Sequence, residues 1–222
     1  MLIVICGVAG CGKTTIAKDL AKRLDFEFAD ADDYHSEENK ALMRNGVSLT
    51  DKERLPWLLT LHDFLAGWHE NGVSGILACS ALKQKYRHLL NSSLVYSIGT
   101  KFEKENHVPN PVNLNLLFVC LNIDKEVASE RLAHRKDHDV IKDSRLMDSQ
   151  LATLELPPKN ECLWTGSSYG KYKDNYLSIE KSYENNTFYY MYVLRVFKDS
   201  TVNDVVENIL DFLPKFHNFK LV

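Results

Sequence analysis

The chain has 222 residues, of which 45% are hydrophobic and 26% are charged, with 27 basic and 30 acidic side chains. The formal charge of −3 excludes the broad basic surface that is typical of DNA-binding proteins. The longest apolar stretches, Met1–Ile5 and Leu116–Leu121, are far shorter than the roughly 20 residues of a membrane-spanning helix. The length suits a single domain over residues 1–222, and five scattered cysteines favour a reduced, cytoplasmic protein.

Apolar runs alternate with segments of helical periodicity along the chain. This alternation predicts an α/β fold with a mostly parallel five-stranded sheet flanked by helices. The strands are predicted at Leu2–Cys6, Glu27–Asp30, Gly75–Cys79, Leu116–Ile123 and Phe188–Phe197. The first is continuously apolar, as expected of a strand that is covered on both faces, and the fourth is the most apolar.

Helices are predicted between these strands. The first runs from Lys13 to Leu24, and Ser36 precedes a second that extends through Met43. Pro56 fits the first turn of a third helix, and Ser80 is placed to cap a fourth. The pair Thr201 and Asp204 has the spacing of a capping box ahead of the last helix.

Two polar stretches, residues 97–115 and 159–187, fit the alternating pattern poorly. The first contains Pro109 and Pro111, and the second is rich in tyrosine. Structureless loops of this length are uncommon inside compact domains. Both are therefore interpreted as surface insertions, with an added interaction surface as the alternative.

A phosphate-binding motif follows the first strand. It matches G-x-x-x-x-G-K-[ST] and lies between a strand and a helix, where glycines let successive backbone N–H groups approach phosphate oxygens. The nucleotide-contacting residues are predicted to be Gly7, Val8, Ala9, Gly10, Cys11, Gly12, Lys13, Thr14 and Thr15. Lys13 is expected to bridge the β- and γ-phosphates of a nucleoside triphosphate, and Thr14 to offer its hydroxyl to Mg²⁺.

The rest of the chain favours a small-molecule kinase over a GTPase. A GTPase would carry N-K-x-D late in the chain, whereas residues 122–125 contain similar letters in the wrong order. Asp30 and Asp32 lie two apart on an extended segment and project from one side at the carboxyl end of the second strand. One could order the Mg²⁺ shell while the other accepts a proton from the acceptor, and an acidic turn is the alternative.

Two groups of basic residues follow the third and fourth strands. Lys83, Lys85 and Arg87 begin at a strand's carboxyl end, so at least one is expected to face the cleft. A second group is interpreted as part of a lid over about residues 135–148 that closes on negative charge, with a solvated helix end as the alternative. Its members are Arg131, His134, Arg135, Lys136 and His138.

Taken together, these segments resemble the gluconokinase family of small P-loop kinases. The resemblance depends on four stretches in the expected order, which leave 97–115 and 159–187 as inserts. They are residues 7–14, residues 30–35 running on to Trp57, residues 79–87, and residues 135–138 with 149–157. The resemblance implies a three-layer P-loop kinase fold and transfer of the ATP γ-phosphate to the 6-hydroxyl of D-gluconate. The product would feed the pentose phosphate pathway.

The resemblance also implies roles for individual residues. Asp32 would be the catalytic base and Asp30 the Mg²⁺-side carboxylate, and Arg135 would close over the phosphates. The acceptor would be held by His35, Arg54, Lys83, Arg87 and His138. A carboxylate is best matched by a forked guanidinium, so Arg54 and Arg87 are the expected contacts for the acid group.

The predicted lid departs from the family pattern, because Asp137 and Asp139 stand where a glycine and an aromatic residue are usual. Carboxylates near transferring phosphates are unfavourable unless they point away. Two alternatives therefore stay open: a kinase for another sugar acid or a shikimate-like polyol, and an ATP-binding regulatory protein with impaired catalysis. The sequence leaves the oligomeric state open, including a homodimer.

Overall fold

A computed structural model describes residues 1–92, 113–134, 144–165, 174–181 and 188–219. The first predicted insertion and the predicted lid are therefore described only at their edges. Arg135, Asp137, His138 and Asp139 lie outside the described residues.

One mixed sheet organises the described part of the chain, with seven strands in the order β2-β3-β1-β4-β7-β6-β5. Their bounds are β1 Leu2–Cys6, β2 Glu27–Asp30, β3 Gly75–Ala78, β4 Leu117–Ile123, β5 Trp164–Thr165, β6 Tyr176–Lys181 and β7 Phe188–Val196. The five predicted strands pair in parallel, with Ile3 of β1 opposite Ile76 of β3 and Leu117 of β4. The predicted α/β class and its mostly parallel sheet are confirmed, whereas the predicted count of five strands is wrong, because β5 and β6 extend the sheet beyond β7.

Helices cover both faces of this sheet. Their bounds are α1 Lys13–Leu24, α2 Glu37–Arg44, α3 Asp51–Glu70, α4 Gln84–Ser92, α5 Lys125–Ala133, α6 Ser144–Thr153 and α7 Val202–Phe219. Alternate residues of β1 enter two separate cores, since Ile3 and Ile5 pack with α1 and α7, whereas Leu2 and Val4 pack with α3 and α4. The continuous apolar composition of β1 follows from burial on both faces.

Two helix starts differ from the prediction. Helix α3 begins at Asp51, ahead of Pro56, because Thr50 and Glu53 form a capping box that satisfies the first free N–H groups. Helix α4 begins at Gln84 and is not capped by Ser80. The Gln84 N–H instead donates to the Glu155 carboxylate at 2.6 Å, so a residue distant in sequence fixes this helix start.

The second predicted insertion is partly built into the sheet. Strand β6 pairs antiparallel with β7, and its residues Leu177, Ser178 and Glu180 are buried. The interpretation of residues 159–187 as a surface insertion is therefore wrong for the part that forms β6. The polar composition that suggested exposure includes Glu180, whose carboxylate has a partner in the interior.

That partner is Arg87, the guanidinium of which is fully buried. Its Nε donates to Glu180 Oε2 at 3.0 Å and its Nη2 to Glu180 Oε1 at 3.1 Å. The Nε also donates to the Tyr189 hydroxyl at 3.0 Å, and this hydroxyl in turn contacts Glu180. A buried charge costs several kcal/mol unless it is paired, so each of these two ions requires the other.

We predict that Glu180→Leu destabilises the protein by about 3–5 kcal/mol, because it leaves the Arg87 guanidinium buried without a counterion. The double variant Arg87→Met with Glu180→Leu should recover part of this loss, since neither charge remains, although the carbonyls to which Arg87 donates lose that donor. Urea unfolding measures both free energies. As a control, Glu207→Leu removes the exposed partner of Arg23 and should change stability far less. A double variant as unstable as the single one would contradict the account.

Candidate active site

The predicted phosphate loop connects β1 to α1 at the carboxyl edge of the sheet. Gly7 and Gly10 have φ angles of +134° and +79°, and a Cβ on Gly10 would lie 2.6 Å from the Ala128 carbonyl oxygen. Only glycine combines this backbone with this close approach. Because α1 begins at Lys13, the loop leads directly into a helix N-terminus, which favours an anion.

Asp30 connects this loop to the end of β2. Its Oδ2 accepts a hydrogen bond from Thr14 Oγ1 at 2.8 Å, and its Oδ1 accepts one from the Asp32 N–H at 3.1 Å. Lys13 Nζ donates to the Val8 carbonyl within the loop at 3.0 Å. A hydroxyl and a carboxylate in contact at a helix N-terminus are hard oxygen donors, and Mg²⁺ prefers such ligands.

The ends of β2 and β3 are neighbours, since Asp30 lies opposite Ala78, and Asp32 follows β2 there. Burial raises the pKa of the Cys79 thiol, which follows β3; the Asp32 carboxylate raises it further and the Lys13 ammonium lowers it. Both charges therefore act on one buried group. Asp32 lies in a 3-10 turn over Ala31–Tyr34, so the expected extended segment is wrong there; the Asp32 N–H keeps the residue beside the Asp30 carboxylate at the same edge.

His35 is buried next to the same edge. Its ring stacks on Trp57 with centroids 4.2 Å apart, and the Trp57 indole donates to the Ala31 carbonyl at 2.8 Å. Burial, with smaller contributions from Arg54 and Lys40, lowers the pKa of His35 to about 4. His35 is therefore neutral at physiological pH and can exchange hydrogen bonds with a hydroxyl group.

A polar pocket of about 230 Å³ lies between the starts of α3 and α4 and the end of α6. Asp32 and His35 are not among the residues that line it. Of the predicted acceptor-binding residues, it brings together Arg54 and Lys83. The pocket also contains Asp51 and Tyr86, which sequence reasoning missed; Asp51 accepts hydrogen bonds from Lys83 Nζ at 2.8 Å and Lys85 Nζ at 2.6 Å. These hydrogen bonds lower the pKa of Asp51 well below its usual value, although burial alone would raise it.

Gln150 joins the pocket to the phosphate loop. Its Oε1 accepts a hydrogen bond from the Ala9 N–H at 2.7 Å, and the same residue lines the pocket. Sequence reasoning gave Gln150 no role, although it lies in the stretch 149–157 on which the resemblance depends. Ala9 and Gln150 are 141 positions apart, so no local sequence pattern beyond that stretch indicates their contact.

Arg87 does not line the pocket, and the expectation that it holds the acceptor is wrong. Besides Glu180 and Tyr189, its guanidinium donates to three backbone carbonyls, so its five N–H groups are all used within the protein. The physical reason is complete burial. The fork that suits a substrate carboxylate is occupied by Glu180.

A larger cleft of about 690 Å³ adjoins the other side of the loop. Gly10, Gly12 and Thr15 line it together with Arg131 and His134 at the end of α5. Arg131 Nη2 donates to the carbonyls of Phe197 and Ser200, each at 3.3 Å. Arg131 and His134, interpreted from sequence as part of a lid cluster, thus lie beside the loop.

A phosphate loop at the carboxyl edge of a parallel sheet, with one pocket on either side, defines a P-loop small-molecule kinase. A family profile described as "AAA domain" matches residues 3–152. A "Probable gluconokinase" of Xenopus tropicalis is 43% identical, over 72% of this chain and 82% of the relative. The chain belongs to the gluconokinase family.

Solved structures agree with this assignment. A sugar kinase from Janibacter sp. HTCC2649 has 30% identity and a TM-score of 0.67, covering 96% of this chain and 94% of its own. A gluconokinase from Sinorhizobium meliloti 1021 has 25% identity and a TM-score of 0.64, covering 99% and 95%. Within the described residues, no helix has both the length and the apolar character needed to cross a bilayer.

We predict that His35 makes stability depend on pH. Its pKa is about 4 in the folded protein and about 6.5 in an unfolded chain. The unfolded state therefore binds more protons between these values, and about 3 kcal/mol of stability should be lost as the pH falls from 6.5 to 4. Urea unfolding at a series of pH values measures this loss.

His35→Gln should lose correspondingly less stability over the same pH range. The matched control is His69→Gln, which changes an exposed histidine of α3 and should leave the wild-type slope intact. Equal pH slopes for His35→Gln and the wild type would contradict the account.

Proposed function

We propose that this protein transfers the γ-phosphate of ATP to the 6-hydroxyl of D-gluconate, giving 6-phospho-D-gluconate and ADP. The hydrogen bond between Gln150 and Ala9 carries the proposal, because it makes the phosphate loop and the polar pocket parts of one cleft. The relatives named gluconokinase support the choice of acceptor. The product would feed the pentose phosphate pathway.

The larger cleft is proposed to hold the nucleoside. Val127, Val202 and Val205 give it apolar surface for a base, and Arg131 adds a planar cation. From there the phosphates would extend onto the N–H groups of the loop. Lys13, now bonded within the loop, would turn to the β- and γ-phosphates.

Thr14 and Asp30 are the residues proposed to hold Mg²⁺. Both are oxygen donors already in contact at the start of α1, which fits an ion that keeps several of its waters. When bound there, Mg²⁺ would neutralise charge on the phosphates. Thr14 and Asp30 would fix its position relative to Lys13.

The pocket is proposed to hold the acceptor. Arg54 would bind the gluconate carboxylate through its fork, Lys83 would add positive charge, and neutral His35 would hydrogen-bond a hydroxyl. Asp32 would accept the proton of the attacking 6-hydroxyl. Arg135, closing over the phosphates, and His138, binding substrate, remain part of the proposal.

We also propose a cytoplasmic location, which is supported by five free cysteines, four of them buried. A homodimer, the assembly that the resemblance allows, belongs to the same proposal. Sedimentation of the purified full-length chain measures its mass directly.

We predict ADP release that depends on gluconate and that Lys13→Ala abolishes. A coupled assay over a panel of sugar acids and shikimate measures it. Faster ADP release with another compound of the panel would identify that compound, and not gluconate, as the acceptor. Equal release without any acceptor would identify an ATPase, and ATP binding without release would favour the regulatory alternative.

The same assay tests Asp32. Because a base acts on the acceptor, Asp32→Asn should lower kcat by about 10²–10⁴-fold with little change in ATP affinity. The matched control is Asp33→Asn, a neighbouring exposed carboxylate, which should retain turnover. Comparable losses in kcat and in ATP affinity would contradict the proposed role.

A further inference from the structure

The segment between β3 and α4 forms one wall of the acceptor pocket, and its backbone conformation is unfavourable. Ala81 adopts a φ of +39°, a left-handed conformation that a non-glycine residue keeps only when its surroundings impose it. Ala81 and Leu82 are both buried, so their carbonyl groups need donors inside the protein. Lys83, which lines the pocket, comes directly after them.

Arg87 supplies those donors. Its Nη1 donates to the carbonyls of Ala81 and Leu82, each at 3.0 Å, and its Nη2 donates to the Glu155 carbonyl at 2.9 Å. Glu155 closes the arrangement, because its N–H donates to the Leu82 carbonyl at 2.9 Å and its carboxylate caps Gln84. One guanidinium therefore ties the loop before α4 to the segment that follows α6.

The counterion that allows this arginine to be buried comes from β6. Glu180 is 7% exposed and Arg87 is 0% exposed, so neither charge is stabilised by water. The matched family profile ends at residue 152, and β6 lies beyond it. Glu180, the counterion of the arginine that bonds to the pocket wall, thus comes from a strand outside the matched profile.

We propose that Arg87 is a positioning residue for the acceptor, and that Glu180 of β6 keeps its guanidinium in place. The Arg87 guanidinium holds residues 81–83 in place. It thereby sets the direction from which the Lys83 side chain enters the pocket. This inference rests on the proposed function, because the acceptor is the ligand whose binding it affects. The nucleotide cleft on the other side of the loop is lined by different residues.

The test uses the double variant Arg87→Met with Glu180→Leu, which removes both buried charges together. The KM for gluconate should rise by about 10-fold or more, whereas the KM for ATP should stay within about 3-fold. Hydrogen exchange at residues 79–86 should become faster, which is a readout besides activity. The control double variant, Arg23→Met with Glu207→Leu, removes an exposed pair between α1 and α7 and should change neither KM.

Arg87→Lys keeps the test decisive if the double variant does not fold. Lysine retains the charge next to Glu180, but its three N–H donors share one nitrogen, which cannot reach the Glu180 carboxylate and three separated carbonyls at once. It should therefore show the same selective rise in the KM for gluconate.

Two results would overturn the inference: an unchanged gluconate KM in a folded variant, or equal rises in both KM values. Failure of the proposed function is distinguishable from either. It would appear as wild-type ADP release that gluconate does not stimulate.

Discussion

The parallel register of the sheet is the constraint on which the chemistry of this protein depends. Ala78 of β3 lies opposite Ile5 of β1 on one side and Asp30 of β2 on the other, so these strands end together. The phosphate loop, the Asp30 carboxylate and the loop before Lys83 then emerge at one edge, although they are far apart in sequence. Any shift of register would separate the Thr14 hydroxyl from Asp30, and with it the proposed Mg²⁺ site.

Features with a local cause could be predicted from the sequence. Strands β1 and β3 are apolar because both of their faces are covered, and the phosphate loop carries Gly7 and Gly10 where a side chain would collide with the backbone. The place of Asp30 at this edge follows from strand geometry, whereas Asp32 is held there by a turn in which its N–H donates to the Asp30 carboxylate. The Thr201–Asp204 capping box is confirmed for the same reason, since both of its hydrogen bonds lie within four residues.

Features that depend on distant partners could not be predicted. Arg87 stands near the cleft in sequence, but the carboxylate that draws it into the interior is 93 residues away. Glu180 lies in a polar stretch that resembles surface, and its carboxylate is buried on β6 because it pairs with Arg87. Gln150 and Asp51 likewise gain their place in the pocket from contacts across 141 and 32 positions. Composition gives no information about such partners.

A nucleotide and a sugar acid are proposed to meet across the phosphate loop in one cleft. A crystal structure of the protein with ADP, Mg²⁺, aluminium fluoride and gluconate tests this most directly. The acid group of gluconate should lie at Arg54 and its 6-hydroxyl between Asp32 and the fluoride, in line with the ADP oxygen. Gluconate bound away from Arg54, or with its 6-hydroxyl out of reach of Asp32, would contradict it.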